Sequence, residues 1–124
     1  MYDSSVVQIT VVRPSFYMSL QEEHQPLDTA IWNAMLAVLP PDCSAARLEV
    51  AAVFEADGGL EMPHSLVALD DSKDLCFPSD EIYQLTREHL AVFERHGKPW
   101  ASLACTVRFD FDTENWRCST DYEY

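Results

Sequence analysis

The sequence has few glycines, and none of them lies in a motif that binds phosphate. Only three glycines occur among its 124 residues, and the adjacent pair Gly58-Gly59 lies between two predicted strands. The chain also lacks the G-x-S-x-G, G-x-x-x-x-G-K-[ST] and H-E-x-x-H motifs, which build a nucleophile elbow, a phosphate loop and a zinc site. The sequence therefore predicts a protein that is not an enzyme and that holds no cofactor and no metal.

Long apolar runs and paired cysteines are also missing. No run approaches the roughly 20 residues that a membrane-spanning helix needs, and residues 1–5 lack the positive and apolar regions of a secretory signal. We therefore expect a cytoplasmic protein with no membrane partner. No C-x-x-C pair occurs, so we expect free core thiols in a reducing compartment, with a disulfide or a metal site as the alternative. The cysteines are Cys43, Cys76, Cys105 and Cys118.

Basic residues are scarce as well. Lys and Arg together number 8 against 21 Asp and Glu, which gives a formal net charge of −13. Such a polyanion repels nucleic acid and anionic membranes, and it attracts basic proteins. Because 48% of the residues are apolar, the charge does not prevent folding, and we expect one domain over residues 1–124. The expected partner is a cationic protein and not a nucleic acid.

Apolar and turn-forming residues predict seven elements in the order β-α-β-β-α-β-β. Residues 15–25 are interpreted as a connection, because Glu22-Glu23-His24 interrupts the apolar pattern. Pro26 suits the first turn of the helix that follows. Ser79 can cap the second helix, and Gly97 can end it. This order predicts an α+β domain, in which two helices cover one face of an antiparallel sheet of about five strands. The predicted elements are strands at 6–12, 47–55, 60–69, 103–111 and 116–124, and helices at 26–39 and 80–96.

The last two segments predict a hairpin with a defined register. Apolar and aromatic residues alternate with polar ones along both segments. A turn at positions 113–114 pairs Phe111 with Trp116 and places Asp110 opposite Arg117. Because a slip of one residue would expose the aromatic side chains to solvent, we expect the register to be strongly specified.

Carboxylates are the candidate binding groups. They lie in the loop before the second helix, in the first turn of that helix and on the last hairpin, and they could form desolvated ion pairs with a basic partner. Trp116, Tyr122 or Tyr124 could anchor that partner. A solvated acidic face is the alternative interpretation. The candidate residues are Asp70, Asp71, Asp74, Asp80, Glu81, Asp110, Asp112, Asp121 and Glu123.

The four histidines do not suggest a site. His89 and His96 lie seven residues apart on the second predicted helix, which is too far for two ligands of one metal without others. We therefore interpret them as packing or partly exposed residues. His24 and His64 are interpreted as isolated histidines in surface segments. A small enzyme, whose carboxylates and histidines meet only in three dimensions, is one alternative function.

Several segments together resemble a known family. They are Ile31-Trp32-Asn33-Ala34-Met35 before Leu39-Pro40, the helix 82–96, Gly97-Lys98-Pro99-Trp100, and the final Asp121-Tyr122-Glu123-Tyr124. From about Leu27 to Tyr124 the chain resembles the YezG-like immunity proteins, antitoxins of polymorphic or contact-dependent toxin systems. It departs from them in its opening strand and in residues 112–115, where an Asp-Gly turn is common.

The resemblance implies an immunity protein that binds and neutralises a basic toxin domain, such as a nuclease. It implies no catalytic residues, and no binding residues can be carried over from it. The other alternative function is a structural module in which copies of the chain pair through sheet edges or exposed aromatic residues. A homodimer is accordingly a second partner prediction, beside the cognate toxin.

Overall fold

The computed structural model describes residues 19–71 and 76–124. It contains an antiparallel sheet and two helices, so the predicted α+β class is confirmed. The elements are α1 Leu20–Val38, β1 Ala45–Ala51, β2 Val53–Phe54, β3 Leu60–Glu61, β4 His64–Ala68, α2 Asp80–Arg95, β5 Ser102–Asp110 and β6 Asn115–Glu123. The predicted strand at 6–12 and the candidate residue Asp74 lie outside the described residues. Neither helix of the described residues combines the length and the apolar character that spanning a bilayer requires.

The main sheet has four strands in the order β4-β1-β5-β6, each antiparallel to its neighbour. The predicted hairpin of residues 47–55 and 60–69 is present, but it is divided into the β1–β4 pair and a separate β2–β3 ribbon. The division occurs near Pro63, as expected for a proline beside an edge strand. The turn between β2 and β3 uses Gly58 at φ +89°, and the Gly59 amide donates to the Asp57 carboxylate at 2.9 Å.

Both helices cover the same face of the sheet. Leu48 opposes Cys105 and Val50 opposes Leu103 across β1 and β5, and all four side chains are buried. These residues share one core with apolar side chains of both helices. The helix residues of this core are Ile31, Ala34 and Met35 from α1, and Ile82, Leu90 and Phe93 from α2. The opposite face of the sheet, called the open face below, carries mostly polar and small residues, together with the exposed Val67.

The second helix begins and ends where the sequence predicts. The Ser79 hydroxyl accepts a hydrogen bond from the Ile82 amide at 3.3 Å. At the other end Gly97 takes φ +73°, and the Lys98 amide donates to the Phe93 carbonyl at 2.9 Å. A residue with positive φ that lets the chain fold back in this way is the usual reason for glycine after a helix.

The first helix begins at Leu20, six residues before Pro26. The predicted start at Pro26 is therefore wrong. Ser19 caps it: the Ser19 hydroxyl accepts from the Glu22 amide at 3.1 Å, and the Glu22 carboxylate accepts from the Ser19 amide at 3.0 Å. This reciprocal capping box satisfies two amides that would otherwise lack partners. Pro26 lies inside the helix and removes one internal hydrogen bond. The apolar pattern of the sequence does not indicate these early helical turns, because the side chain that they bury is the polar His24.

The predicted register of the last hairpin is wrong by two residues. Trp116 opposes Phe109 instead of Phe111, and residues 111–114 form a longer loop than the predicted two-residue turn. The Asp110 carboxylate stabilises this loop, because it accepts from the amides of Asp112 and Thr113 at 2.9 and 3.3 Å. A shift of two residues keeps each side chain on its predicted face. Phe111, however, leaves the strand and is 73% exposed.

Arg117 still contacts Asp110, although the two residues are not opposite each other. Asp110 opposes Asn115, and the Arg117 Nε atom reaches the Asp110 carboxylate diagonally at 2.8 Å. The Arg117 guanidinium and the two loop amides hold the pKa of Asp110 below its usual range. Asp110 therefore serves the hairpin itself, as both turn cap and ion-pair partner.

The early start of α1 can be tested by removing its cap. Ser19→Ala should lower the free energy of unfolding by about 1 kcal/mol, because a capping hydroxyl is lost. Gln21→Ala, an exposed control in the first turn, should change it by no more than about 0.5 kcal/mol. Urea denaturation of both variants provides the measurement. If α1 began at Pro26, the two substitutions would have similarly small effects.

Candidate partner-binding surface

The candidate carboxylates that the structure describes do not meet in a single patch. Asp110 and Asp112 lie at the loop end of the last hairpin, while Asp121 and Glu123 oppose Ala104 and Ser102 at its other end. The nine residues of β5 separate these two ends by about 26 Å.

The remaining candidates lie at other places. Asp70 follows β4, at the same end of the sheet as Asp110, because the adjoining Leu69 amide donates to the carbonyl of Ala45 at the start of β1. Asp80 and Glu81 are exposed in the first turn of α2.

Two of these candidates maintain the fold, which limits their part in binding. The Asp70 carboxylate accepts from the Ser44 amide at 2.6 Å and from the Ser44 hydroxyl at 2.8 Å, at the entrance to β1. Asp110 is engaged by its own loop and by Arg117, as described above. The exposed candidates are Asp71, Asp80, Glu81, Asp112, Asp121 and Glu123.

Asp121 and Glu123 line a groove of about 450 Å³ on the open face. The small side chains of Ala104 and Ser102 on β5 form its floor. Ala104 lies between Glu49 of β1 and Asp121 of β6, and Ser102 lies opposite Glu123. The backbones of β1 and β6 are about 10 Å apart across β5. Carboxylates therefore stand on both sides of this depression.

The cations of the described residues are mostly engaged elsewhere. Arg87 pairs with Glu94 at 3.1 Å, and Arg95 pairs with Glu23 at 3.0 Å. Among the described residues, Arg47 is the only Lys or Arg that lines the groove, and its Nε atom lies 2.8 Å from Glu49. No described cation pairs with Asp121 or Glu123. The β6 side of the groove is consequently the more negative one.

A buried polar network, which the sequence did not reveal, joins the two helices. The Asp28 carboxylate lies 3.0 Å from His24 Nδ1 and 2.7 Å from His89 Nε2. The indole N–H of Trp100 donates to His89 Nδ1 at 3.0 Å. All four side chains are at most 8% exposed. The interpretation of His24 as a surface residue is therefore wrong, while His89 does pack in the helix interface.

This network resembles a metal site in composition, but its hydrogen bonds favour a structural role. Three potential ligand atoms of His24, Asp28 and His89 lie within 4.8 Å of one another. An indole can only donate, so Trp100 requires a bare Nδ1 on His89 and places the ring proton on Nε2, facing Asp28. Metal binding through Nε2 would move that proton to Nδ1. Two N–H groups would then face each other at 3.0 Å.

A second contact between the helices lies at the surface. The Glu23 carboxylate on α1 accepts from His96 Nε2 at 2.6 Å and from Arg95 at 3.0 Å, both at the end of α2. His96 and Arg95 hold the pKa of Glu23 below its usual range. Together with the buried network, this cluster fixes the start of α1 against the end of α2.

Two groups that could perform acid–base or thiol chemistry, His64 and Cys105, are engaged or buried. His64 lies at the end of the groove, but its Nδ1 contacts the Met62 carbonyl at 2.6 Å and its Nε2 contacts the Thr86 hydroxyl at 2.7 Å. None of the four cysteines, all of them in the described ranges, forms a disulfide. Burial raises the pKa of the Cys105 thiol to about 12, so that it is not a nucleophile at neutral pH. The groove therefore offers charge and shape for binding.

Comparison with protein-family models and with curated proteins gives no match to this chain. The functional conclusion therefore depends on the geometry and charge of the described residues. Of these, Asp121 and Glu123 were candidates from the sequence. Glu49 and Ala104 were not candidates, because they come close to Asp121 only when β1, β5 and β6 pair.

The buried hydrogen bond of Trp100 predicts that replacing Trp by Phe destabilises the protein more at position 100 than at position 32. Trp100→Phe should lower the free energy of unfolding by about 2–3 kcal/mol, because it leaves His89 Nδ1 without a donor and opens a small cavity. Trp32→Phe removes the hydrogen bond from the half-buried indole N–H of Trp32 to the Ser119 carbonyl, and should lower the free energy of unfolding by about 1 kcal/mol. Chemical denaturation measures both. Equal losses would contradict the role of Trp100 in the network.

Burial of His64 predicts a pH-dependent contribution to stability. Burial lowers the pKa of His64, against the opposing effect of the Met62 carbonyl. Its contribution is therefore complete above the unfolded pKa of about 6.5, and it is lost as the pH falls through the folded pKa. Between pH 7 and 5, His64→Gln should reduce the slope of unfolding free energy against pH by at most about 1.4 kcal/mol per pH unit. If the unfolding free energies of the variant and the wild type changed in parallel with pH, the proposed contribution of His64 would be contradicted.

Proposed function

We propose that this protein is an immunity protein, which binds a basic toxin domain and neutralises it through the acidic groove on the open face of the sheet. The groove itself is the observation that carries the proposal. It combines a floor of small residues with carboxylates on both sides, and its β6 side has no described cation. A nuclease domain is a suitable partner, because nucleases hold phosphate backbones with positive surfaces.

An arginine or lysine of the partner fits this groove. Its aliphatic part can lie over Ala104, while its charged end lies between Glu49 and Asp121. Such a side chain would be partly desolvated there, and charge-assisted hydrogen bonds to carboxylates are stronger than neutral ones. Glu123 can receive a second donor. The proposed contact thus consists of a few charged groups around one inserted side chain.

The remaining carboxylates support the same function at longer range. The net charge of −13 attracts a cationic partner before contact is made. Electrostatic attraction of this kind raises association rates more than it lowers dissociation rates. Exposed acidic residues far from the groove, such as Asp80 and Asp112, contribute to this attraction without touching the partner.

The rigid helical layer behind the sheet lowers the cost of binding. The network around Asp28 and the cluster around Glu23 fix both helices, and the helices hold the sheet from behind. Groups that are already ordered lose little conformational entropy when a partner binds. The groove can therefore receive its partner with little rearrangement.

Binding can be tested with the C-terminal domain of the protein encoded by the neighbouring upstream reading frame. We expect the two proteins to copurify as a stable complex, and the association rate to fall several-fold between 0.05 and 0.3 M salt as charges are screened. Glu49→Lys should slow association by about tenfold. Glu88→Lys, the same change on the exposed surface of α2, serves as the control and should have a smaller effect. Stopped-flow fluorescence provides the rates.

Three results would oppose the proposal. Failure of that domain to bind would remove its support. An association rate that is indifferent to salt would exclude electrostatic attraction as the mechanism. Equal effects of Glu49→Lys and Glu88→Lys would place the contact away from the groove.

A further inference from the structure

The outer edge of β6 has no strand partner among the described residues, although β6 is a regular strand of nine residues. The other edge strand, β4, has five residues and follows Pro63. Short strands and nearby prolines protect a sheet edge from pairing, whereas a long regular edge is a template for another strand. Of the two edges, β6 is therefore the one suited to pairing.

The register shows which backbone groups of β6 face outward. The Phe109 amide donates to the Ser44 carbonyl at 2.7 Å, so odd-numbered residues of β5 bond toward β1 and even-numbered ones toward β6. Even residues of β5 oppose odd residues of β6. The even residues of β6 therefore direct their N–H and C=O groups to the outer edge of the sheet. They are Trp116, Cys118, Thr120 and Tyr122.

We propose that this edge pairs antiparallel with the same edge of a second copy, around a two-fold axis at Ser119. The outward backbone groups of Trp116 then meet those of the partner's Tyr122, and those of Cys118 meet the partner's Thr120. About eight backbone hydrogen bonds form in this way. Among the registers that the backbone allows, only the one centred on Ser119 pairs all nine residues of β6. The two sheets become one continuous sheet.

The side chains of β6 are complementary to themselves in this register. Arg117 lies directly opposite the partner's Asp121, and the two-fold axis produces that pair twice. Asn115 lies opposite the partner's Glu123. Directly opposed charges of opposite sign stabilise a strand pair. Within one chain Asp121 has no described cation partner, so the second copy supplies one.

The net charge of the chain works against this dimer. Two copies of −13 repel each other, and only charges within about 8 Å interact strongly at 0.15 M salt. At that ionic strength the Arg117 pair across the interface is retained, while much of the distant repulsion is screened. Dimerisation should therefore be measured at 0.15 M salt or above.

A charge exchange tests the proposal, using the full-length chain in sedimentation equilibrium. The wild type should dimerise reversibly. Arg117→Asp and Asp121→Arg should each weaken dimerisation by roughly ten- to thirtyfold, because each creates two pairs of like charges. The double variant R117D/D121R should restore the wild-type constant. It does not restore the Arg117–Asp110 contact within one chain, so that contact cannot account for the recovery.

Arg87→Asp is the control for the charge change itself, since Arg87 is exposed on α2. It should leave the dimerisation constant within about threefold of the wild type. Thermal unfolding of every variant checks that it is folded. A wild type that stays monomeric, or a double variant that is as weak as the single ones, would overturn the proposal.

A cross-link tests the register. Ser119 meets the partner's Ser119 in a pair without backbone hydrogen bonds, for which the Cα atoms are about 4.5 Å apart. That distance allows a disulfide, so Ser119→Cys should form a covalent dimer under mild oxidation. Ser65→Cys, an exposed position on the β4 edge, is the matched control and should remain uncross-linked. Cross-linking of Ser65→Cys instead of Ser119→Cys would place the contact at the wrong edge and overturn the proposal.

Discussion

The alternation of side chains along β5 is the constraint on which both faces of the molecule depend. Leu103, Cys105 and Val107 point toward the helices and are buried. Ser102 and Ala104 point the opposite way, and their small size leaves the groove between β1 and β6. Because β5 is bonded to both neighbours, neither face can change without changing the other. The same register that closes the core therefore opens the groove.

The sequence predicted α2, the hairpin after it and the fold class from apolar periodicity and from Ser79 and Gly97. It failed where polar side chains decide the structure. His24 and Asp28 occupy buried positions on α1 and obscure its periodicity, and the Asp110 carboxylate builds a loop that residue types alone do not specify. The groove could not be predicted either, because Glu49 and Asp121 are distant in sequence and meet only through Ala104.

The network around Asp28 adds specificity to the helix interface. A buried carboxylate loses much hydration, and hydrogen bonds recover that cost only if their geometry is good. Here two histidines contact the carboxylate, and Trp100 fixes the orientation of one of them. Sliding or rotating α1 against α2 would leave a charge unpaired in the core. An apolar interface would tolerate such movements more easily, so the network defines how the helices support the sheet.

Asp121 connects the two proposed interactions of this protein. It borders the groove that would receive a basic partner, and it lies opposite Arg117 of the second copy in the proposed dimer. A carboxylate bonded to that arginine is a weaker site for another cation. The two interactions are then coupled, because each reduces the free energy gained from the other. Self-pairing would protect the long β6 edge while no partner is bound, and a basic partner would favour the separated chains by mass action.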